Sequence, residues 1–299
     1  MGNIRLRYID TGNFFGTMNT GTIRLSNLTD KDKDMIMEMH NLYTLEGYEL
    51  TKEDKSAIFR AHRKLAGEDL GFDWHKMFMA DQGNFTDPKK VIKDYGSVFK
   101  ITPEYVEANP NGWTDIPEDI LQISKDVPGV AAGHPVADCP VIVVEDLRRG
   151  VSNVFHSGGA MIDKYLPLLG VEALRSEGSN LDDLRVFVGA KAGPGWVYTD
   201  NPPAWANDPK VWEETGAIVP GKMETANGVV DTYQIDLERA LRDQFRSAGL
   251  SEEQVNYDPH DTISDLRYYS NSQGYKDASR IGRQFAGAIY QEEGHGKSR

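Results

Sequence analysis

The clearest hydrophobic pattern in the chain is a pair of short apolar runs at residues 141–144 and 151–155. Both runs are rich in β-branched residues, and a polar turn at residues 146–150 separates them. Apolar runs of this length, bounded by proline, acidic residues and glycine, are typical of buried strands. Two such runs joined by a short turn favour a hairpin. We therefore predict that the two strands pair antiparallel.

Helical spacing of apolar residues predicts helices over residues 163–174 and 235–248. The second helix places Leu237, Leu241 and Phe245 on one face, and Gly249 follows as a stop signal. The remaining pattern predicts strands and turns over residues 1–26, helices over 30–70, short strands over 74–79 and 97–101, a strand over 184–189, a surface excursion over 202–220, a strand end at 268–271 and a closing helix over 279–289.

No internal repeat interrupts this pattern, and no linker is long enough to force a domain boundary. We expect a single domain over residues 1–290, with loop insertions near residues 83–119 and 200–222. The polar tail at residues 291–299 is predicted to be disordered.

Composition narrows the classes of partner and compartment. The chain has 33 basic and 46 acidic residues, a net charge of −13, which disfavours nonspecific binding to nucleic acid or to an anionic membrane. The single cysteine excludes an internal disulfide and fits a reducing compartment. No apolar run approaches transmembrane length, and the first residues lack a signal-peptide core. We therefore expect a cytoplasmic protein that binds neither nucleic acid nor membrane.

The two predicted strands carry the most reactive pair of side chains in the sequence. Cys139 opens the first strand and His156 closes the second, so an antiparallel hairpin places both at the same end. An imidazole beside a thiol either activates it as a nucleophile or shares a zinc ion with it. The alternative is that Cys139 is a small buried hydrophobe and His156 a structural residue at a strand end.

An ordered set of motifs around this pair resembles the laccase-domain family, also known as multicopper polyphenol oxidoreductase, bacterial purine nucleoside phosphorylase or peptidoglycan editing factor. Ala137-Asp138-Cys139-Pro140 and His156-Ser157-Gly158 match its central motif, with Cys139 and His156 17 residues apart. Further matches lie at residues 188–194 (a Gly-Pro loop), 233–237 (a Leu-Asp-Leu helix), 268–270 (Phe-Ser) and 282–284 (Gly-Arg-Gln). The likeness covers residues 120–290.

The resemblance implies an α+β fold in which helices flank mixed β-sheets. It also implies a His-Cys-His metal site, usually for zinc. Cys139, His156 and Asp138 are then the candidate catalytic residues, and Cys139, His156 and His134 the candidate metal ligands. The candidate substrate-binding residues are Gln82, Asn84, Ser157, Gly158, Lys191, Gly193 and Arg283.

The chain departs from the family pattern at several positions. Asn84 stands where the family has its first site His, and Gly159-Ala160 stands where it has Trp-Arg. The family's Arg near Met18 is absent, and Ser272-Gln273 replaces its closing Arg pair. Because phosphate sites normally use Arg or Lys and catalytic zinc commonly has three protein ligands, we expect weak zinc binding and slow phosphorolysis.

Four functions remain open at this point. The leading hypothesis is a divergent enzyme acting on purine nucleosides, by phosphorolysis or by deamination of adenosine. The alternatives are a catalytically impaired member that binds a small molecule or a protein, and a Cys-His hydrolase with Cys139 as nucleophile. Copper-dependent polyphenol oxidation is the weakest hypothesis, because a multicopper centre needs many histidines and the chain has seven.

Overall fold

The computed structural model describes residues 4–10, 67, 71–79, 97–110, 116, 118–199, 202–226, 228–268, 270, 272 and 284–292. The predicted helices over residues 30–70 and most of the predicted elements over 1–26 lie outside these residues. Within the described part of the chain, no helix has the length and apolar character needed to span a membrane.

Strands and a few helices make up this part of the protein. The strands are β1 Ile4–Asp10, β2 Met77–Met79, β3 Val98–Lys100, β4 Ile120–Ser124, β5 Ala131–Val136, β6 Val141–Asp146, β7 Val151–His156, β8 Leu184–Val188, β9 Trp196–Thr199, β10 Ile218–Thr225, β11 Gly228–Ile235, β12 Val255–Tyr257 and β13 Gln284–Glu292. The α-helices are α1 Pro103–Ala108, α2 Gly159–Asp163, α3 Leu166–Ser176, α4 Pro209–Trp212 and α5 Leu237–Ser247.

A mixed six-stranded sheet with the order β12-β8-β6-β7-β4-β3 forms the centre of the fold. Its middle pair is the predicted hairpin, and β6 and β7 are antiparallel, with Val141 opposite His156 and Asp146 opposite Val151. The apolar residues of β6 are buried, as their continuous β-branched run predicts. The hairpin prediction is therefore confirmed.

A four-stranded sheet with the order β1-β13-β5-β2 covers one face of the large sheet. Val136 and Ala288 of the small sheet pack with Val143 and Val154 of the large one in a single buried cluster. Helices α3 and α5 cover the other face, where Val171 and Leu241 join a second buried cluster. The three layers are thus small sheet, large sheet and helices, in agreement with the expected α+β class.

Helix α5 begins and ends close to its predicted positions. The side chain of Asp236 caps its start by accepting a hydrogen bond from the backbone N–H of Arg239, which satisfies one unpaired donor of the first turn. Gly249 follows the helix with a φ of 88°, a left-handed conformation that glycine adopts without steric cost.

The predicted closing helix over residues 279–289 is wrong from residue 284 onward, because residues 284–292 form strand β13 between β1 and β5; residues 279–283 lie outside the described residues. Gly287 lies opposite Gly133, and a Cβ atom added to Gly287 would lie 2.1 Å from the carbonyl oxygen of Ala132. The backbones approach so closely that only glycine fits here. Since both faces of β13 are buried, its apolar residues show no alternation that would distinguish a strand from a helix.

Three other predictions need local correction. Residues 74–76 form a turn of 3₁₀-helix and only Met77–Met79 form a strand. In the predicted strand end at residues 268–271, the described residues Tyr268 and Ser270 lie outside any strand, and residues 269 and 271 are not described. The segment over residues 202–220 is packed more deeply than a surface excursion, because helix α4 places Trp212 in the core with 1% of its surface exposed.

Candidate functional site

The hairpin brings Cys139 and His156 to the same end of the large sheet. The backbone N–H of Ser157 donates to the carbonyl oxygen of Pro140 at 2.9 Å, which extends the pairing past the strand ends. A Cβ atom built on Gly158 would lie 2.8 Å from Cys139 Sγ and 3.3 Å from His156 Cε1. Thiol and imidazole therefore border the same small space, which the missing side chain of Gly158 leaves open.

His134 lies on β5, in the small sheet, and points between the sheets toward this site. Its ring centroid is 6.3 Å from that of His156, and the side chain is almost fully buried. Burial lowers the pKa of His134 to about 4, against a smaller opposing effect of the Val154 backbone. Neither ring nitrogen makes a hydrogen bond of normal geometry to the residues that the structure describes. His134 is thus neutral near pH 7, the form in which imidazole binds metals.

The described side chains near Cys139 and His156 supply too few donors for a zinc site. Among the described residues, no three His, Cys, Asp or Glu side chains are placed together to hold a metal ion. Cys139 and His156 offer two donors, whereas a catalytic zinc commonly has three protein ligands. The predicted ligands Cys139, His156 and His134 therefore do not form a complete zinc site as they stand. Gln82 and Asn84 lie outside the described residues.

Asp138 has both carboxylate oxygens engaged by distant parts of the chain. Thr262 Oγ1 donates to Oδ1 at 2.9 Å. Ser272 donates to Oδ2 from its backbone N–H at 2.7 Å and from Oγ at 2.8 Å. The backbone N–H of Ala192 donates to the Asp138 carbonyl oxygen at 2.7 Å. These contacts fasten the residue before Cys139 to three segments of the chain, at residues 192, 262 and 272. An orienting role of Asp138 toward His156 stays a prediction.

Lys191 and Gly193 lie in a neighbouring cleft of about 390 Å³, which His260, Arg239 and Arg242 also line. Lys191 Nζ is buried and lies 2.8 Å from Glu238 Oε2, and it donates to the carbonyl oxygen of Asp258 at 3.2 Å. Burial raises the pKa of Glu238, but hydrogen bonds from Lys191 and Arg242 outweigh it and hold that pKa below its ordinary value. The Lys191 charge is thus already paired within the protein.

Of the remaining predicted substrate-binding residues, some are described by the structure and others are not. Ser157 is fully buried beside Gly158, and its Oγ has no hydrogen-bond partner among the described residues. Arg283 lies outside the described residues. The sequence analysis missed His260, whose Nδ1 lies 2.6 Å from Asp258 Oδ1. The acidic residues on both sides of Pro259-His260 were the available signal.

The sequence is similar to a family model and to named relatives. The family model described as multi-copper polyphenol oxidoreductase laccase matches residues 47–291. Purine nucleoside phosphorylases of Mycobacterium tuberculosis and Mycobacterium bovis are 27% identical over 144 residues, which cover 48% of this chain and 53% of theirs. The chain thus aligns with about half the length of these relatives.

Solved structures share the fold. A hypothetical protein YfiH of Bacillus licheniformis superposes with a TM-score of 0.57 at 20% identity, covering 78% of this chain and 81% of that one. YlmD of Geobacillus stearothermophilus has a TM-score of 0.57 at 19% identity, covering 79% and 81%. Similarity at this level of identity concerns the fold alone.

Proposed function

Because the chain belongs to the multi-copper polyphenol oxidoreductase laccase family, whose model matches residues 47–291, we propose that it acts on a purine nucleoside at the Cys139–His156 end of the large sheet. The observation that carries the proposal is the contact of Cys139 Sγ and His156 Cε1 with the space beside Gly158. The relatives named purine nucleoside phosphorylases support the substrate class.

The proposed chemistry uses the thiol and the imidazole as a pair. His156 accepts the thiol proton, and the resulting thiolate is the form of cysteine that acts as a nucleophile or a metal ligand. Asp138 holds the loop that carries Cys139, through its hydrogen bonds to Thr262 and Ser272. Two reactions are in question. In deamination, water attacks the purine and the amino group of adenosine leaves as ammonia. In phosphorolysis, phosphate attacks the anomeric carbon of the ribose and the purine base leaves.

Phosphorolysis is expected to be slow. It requires a site for a doubly charged anion, and Lys191 is paired with Glu238 at 2.8 Å. A hydrogen bond to a charged group contributes about 1.5–3 kcal/mol, so the loss of two or three phosphate contacts reduces the rate by several orders of magnitude.

The test is to incubate the purified protein with adenosine, inosine or methylthioadenosine, with and without phosphate. Chromatography of free base, deaminated product and sugar phosphate separates the two reactions. We expect slow turnover in the wild type and none in Cys139→Ala. Robust phosphate-dependent base release would overturn the claim of impaired phosphorolysis. Activity that persists in Cys139→Ala would overturn the proposed site.

Zinc content is the second measurement. Since two of the proposed donors are together and a third is not, we expect less than one zinc per chain in the purified protein, and none in Cys139→Ala. The variant Asn84→His restores the ligand of the family pattern and should raise the zinc content. One full equivalent of zinc in the wild type would show that another residue, His134 first, completes the site.

A Cys-His hydrolase is the second candidate function. The observation that favours it is a thiol and an imidazole side by side, without a third metal donor among the described residues. Hydrolysis of an activated ester or amide, lost in both Cys139→Ala and His156→Gln, would support this function. Ester hydrolysis at the same rate in all three proteins would exclude it.

A further inference from the structure

Four aromatic side chains pack against one another beside the segment that follows His156. The Trp205 ring centroid lies 5.0 Å from that of Trp212, 6.0 Å from that of Trp196 and 6.1 Å from that of Tyr198. Trp212 is buried in the core, whereas Trp196, Tyr198 and Trp205 are half-buried. These three half-buried rings form an aromatic wall.

The aromatic wall touches the chain at Gly159, one residue beyond the glycine that borders Cys139 and His156. A Cβ atom on Gly158 would meet Cys139 Sγ, and a Cβ atom on Gly159 would lie 2.5 Å from Trp205 Cη2 and Cζ3. Consecutive Cα atoms are only about 3.8 Å apart. The indole of Trp205 and the thiol of Cys139 therefore border neighbouring glycines, neither of which carries a side chain.

Hydrogen bonds fix the segment that carries Trp205. Asp163 Oδ1 accepts from the backbone N–H of Asn207 at 2.8 Å, from that of Asp208 at 2.9 Å and from Trp212 Nε1 at 2.8 Å. Tyr165 Oη donates to Asp208 Oδ2 at 2.8 Å. These bonds hold Trp205 against Gly159 before any ligand arrives, which lowers the ordering cost of binding.

We propose that Trp205, supported by Trp196 and Tyr198, is the stacking surface for the planar base of the ligand that reaches Cys139 and His156. The proposal deepens the proposed function and rests on it for the location of the ligand. Base–aromatic stacking tolerates different bases, because every base has a π-face. Trp205 thus selects an aromatic heterocycle as a class, rather than one purine.

The charges around the wall favour an uncharged ligand. Burial raises the pKa of Tyr165 to about 12, together with its hydrogen bond to Asp208 and the nearby charges of Asp208, Asp163 and Glu214. The same acidic groups repel a phosphate ester, in a chain whose net charge is already −13. Free base and nucleoside should therefore bind better than the nucleotide.

The test is calorimetric titration of the wild-type protein with adenine, adenosine and adenosine monophosphate. We expect adenine and adenosine to bind more tightly than the monophosphate. Trp205→Leu should weaken adenine binding about tenfold, and Trp205→Phe should stay within about threefold of wild type. Trp74→Leu is the matched control, because Trp74 precedes β2, an edge strand of the small sheet.

Adenine is chosen because its binding needs no turnover. Unchanged adenine affinity in Trp205→Leu would overturn the stacking proposal and leave the proposed function intact. Adenine affinity lost equally in Trp74→Leu would also overturn it. Tighter binding of the monophosphate than of adenosine would overturn the preference for uncharged ligands. Loss of base release in Cys139→Ala tests the proposed function separately.

A second variant keeps the proposal testable where Trp205→Leu fails to fold. In the wild type, bound adenine should quench tryptophan emission through Trp205. In Trp205→Phe that quenching should fall sharply, although adenine still binds by calorimetry. Quenching of undiminished amplitude in Trp205→Phe would show that the base does not contact Trp205.

Discussion

Gly158 controls the approach of Cys139 to His156, because its missing side chain leaves room for both. The backbone of Gly158 is ordinary, with a φ of −78° and a ψ of 176°, so any residue can adopt it. The need for glycine is therefore steric. The same applies one residue later at Gly159, where the Trp205 indole fills the space.

Gly158→Ala should displace the Cys139 thiol, since the new methyl group would lie 2.8 Å from Sγ. Cys139 is the only cysteine, so alkylation by iodoacetamide reports on this site alone. We expect alkylation near pH 7 to slow about tenfold, a change of about 1.4 kcal/mol in the barrier. Mass spectrometry over time gives the rate.

The control for this substitution is Gly195→Ala, because a Cβ atom there would have no neighbour within 4 Å. Its alkylation rate should equal that of the wild type. Equal rates for Gly158→Ala and Gly195→Ala would mean that the thiol does not depend on the space beside Gly158.

At the scale of elements, the loop after β8 is joined to helix α5 by a buried charge. Lys191 Nζ lies 2.8 Å from Glu238 Oε2, and Arg242 Nη2 lies 2.7 Å from Glu238 Oε1. Lys191 has 6% of its side chain exposed and Glu238 has 33%. One partner of the ion pair is therefore buried and the other is partly exposed. Glu238 forms ion pairs with two cations, Lys191 and Arg242.

Glu238→Gln should lower the free energy of unfolding by about 2 kcal/mol, because it leaves the Lys191 charge buried without its partner. This figure is below that of a fully buried pair, since Glu238 is one-third exposed to solvent and screened by it. Urea unfolding followed by circular dichroism measures the change.

Glu172→Gln serves as the matched control, because Glu172 pairs with Arg175 on the surface, where both side chains are at least 40% exposed. It should change the free energy of unfolding by no more than about 0.5 kcal/mol. Equal effects of the two substitutions would show that Lys191 does not depend on Glu238.

Elements whose partners are close in sequence were predictable from it. The β6–β7 hairpin and helix α5 each show their own pattern, and Gly249 marks the helix end. Strand β13 shows no strand pattern of its own. Its partners β1 and β5 are far away in the sequence, and both of its faces are buried. The sequence therefore offered apolar residues without a period that reveals a strand.

The candidate site divides in the same way. Cys139 and His156 could be placed together because one local hairpin carries both. The partners of Asp138 lie 124 and 134 residues away, and the contact of Trp205 with Gly159 joins segments of different elements. Such contacts depend on how the layers pack together, and a local sequence pattern does not predict that packing.

At the scale of the whole molecule, the buried His134 between the two sheets makes the stability of the protein depend on pH. Its pKa of about 4 in the folded protein lies below the ordinary value of 6.5, because burial disfavours the charged ring. Between these two values the unfolded chain binds a proton that the folded protein does not. Stability therefore rises with pH over this window and is lost as pH falls through it.

His134→Leu should flatten this dependence. We expect the wild type to lose stability on the order of 3 kcal/mol more than His134→Leu between pH 6.5 and pH 4, at up to about 1.4 kcal/mol per pH unit. Urea unfolding at intervals over this range gives the two curves, and their offset at pH 7.5 measures the packing difference. Parallel curves would mean that the His134 ring takes up its proton in the folded protein as it does in the unfolded chain.

The pairing of β1 with β13, in which Ile4 lies opposite Glu292, has a consequence for folding on the ribosome. The large sheet uses strands between Val98 and Tyr257 and can assemble while synthesis continues. The small sheet cannot, because β13 separates β1 from β5 and is translated last of the four. Until then the edges of β1 and β5 remain open to other chains. A nascent chain stalled before residue 284 should therefore aggregate, although its central layer is already formed.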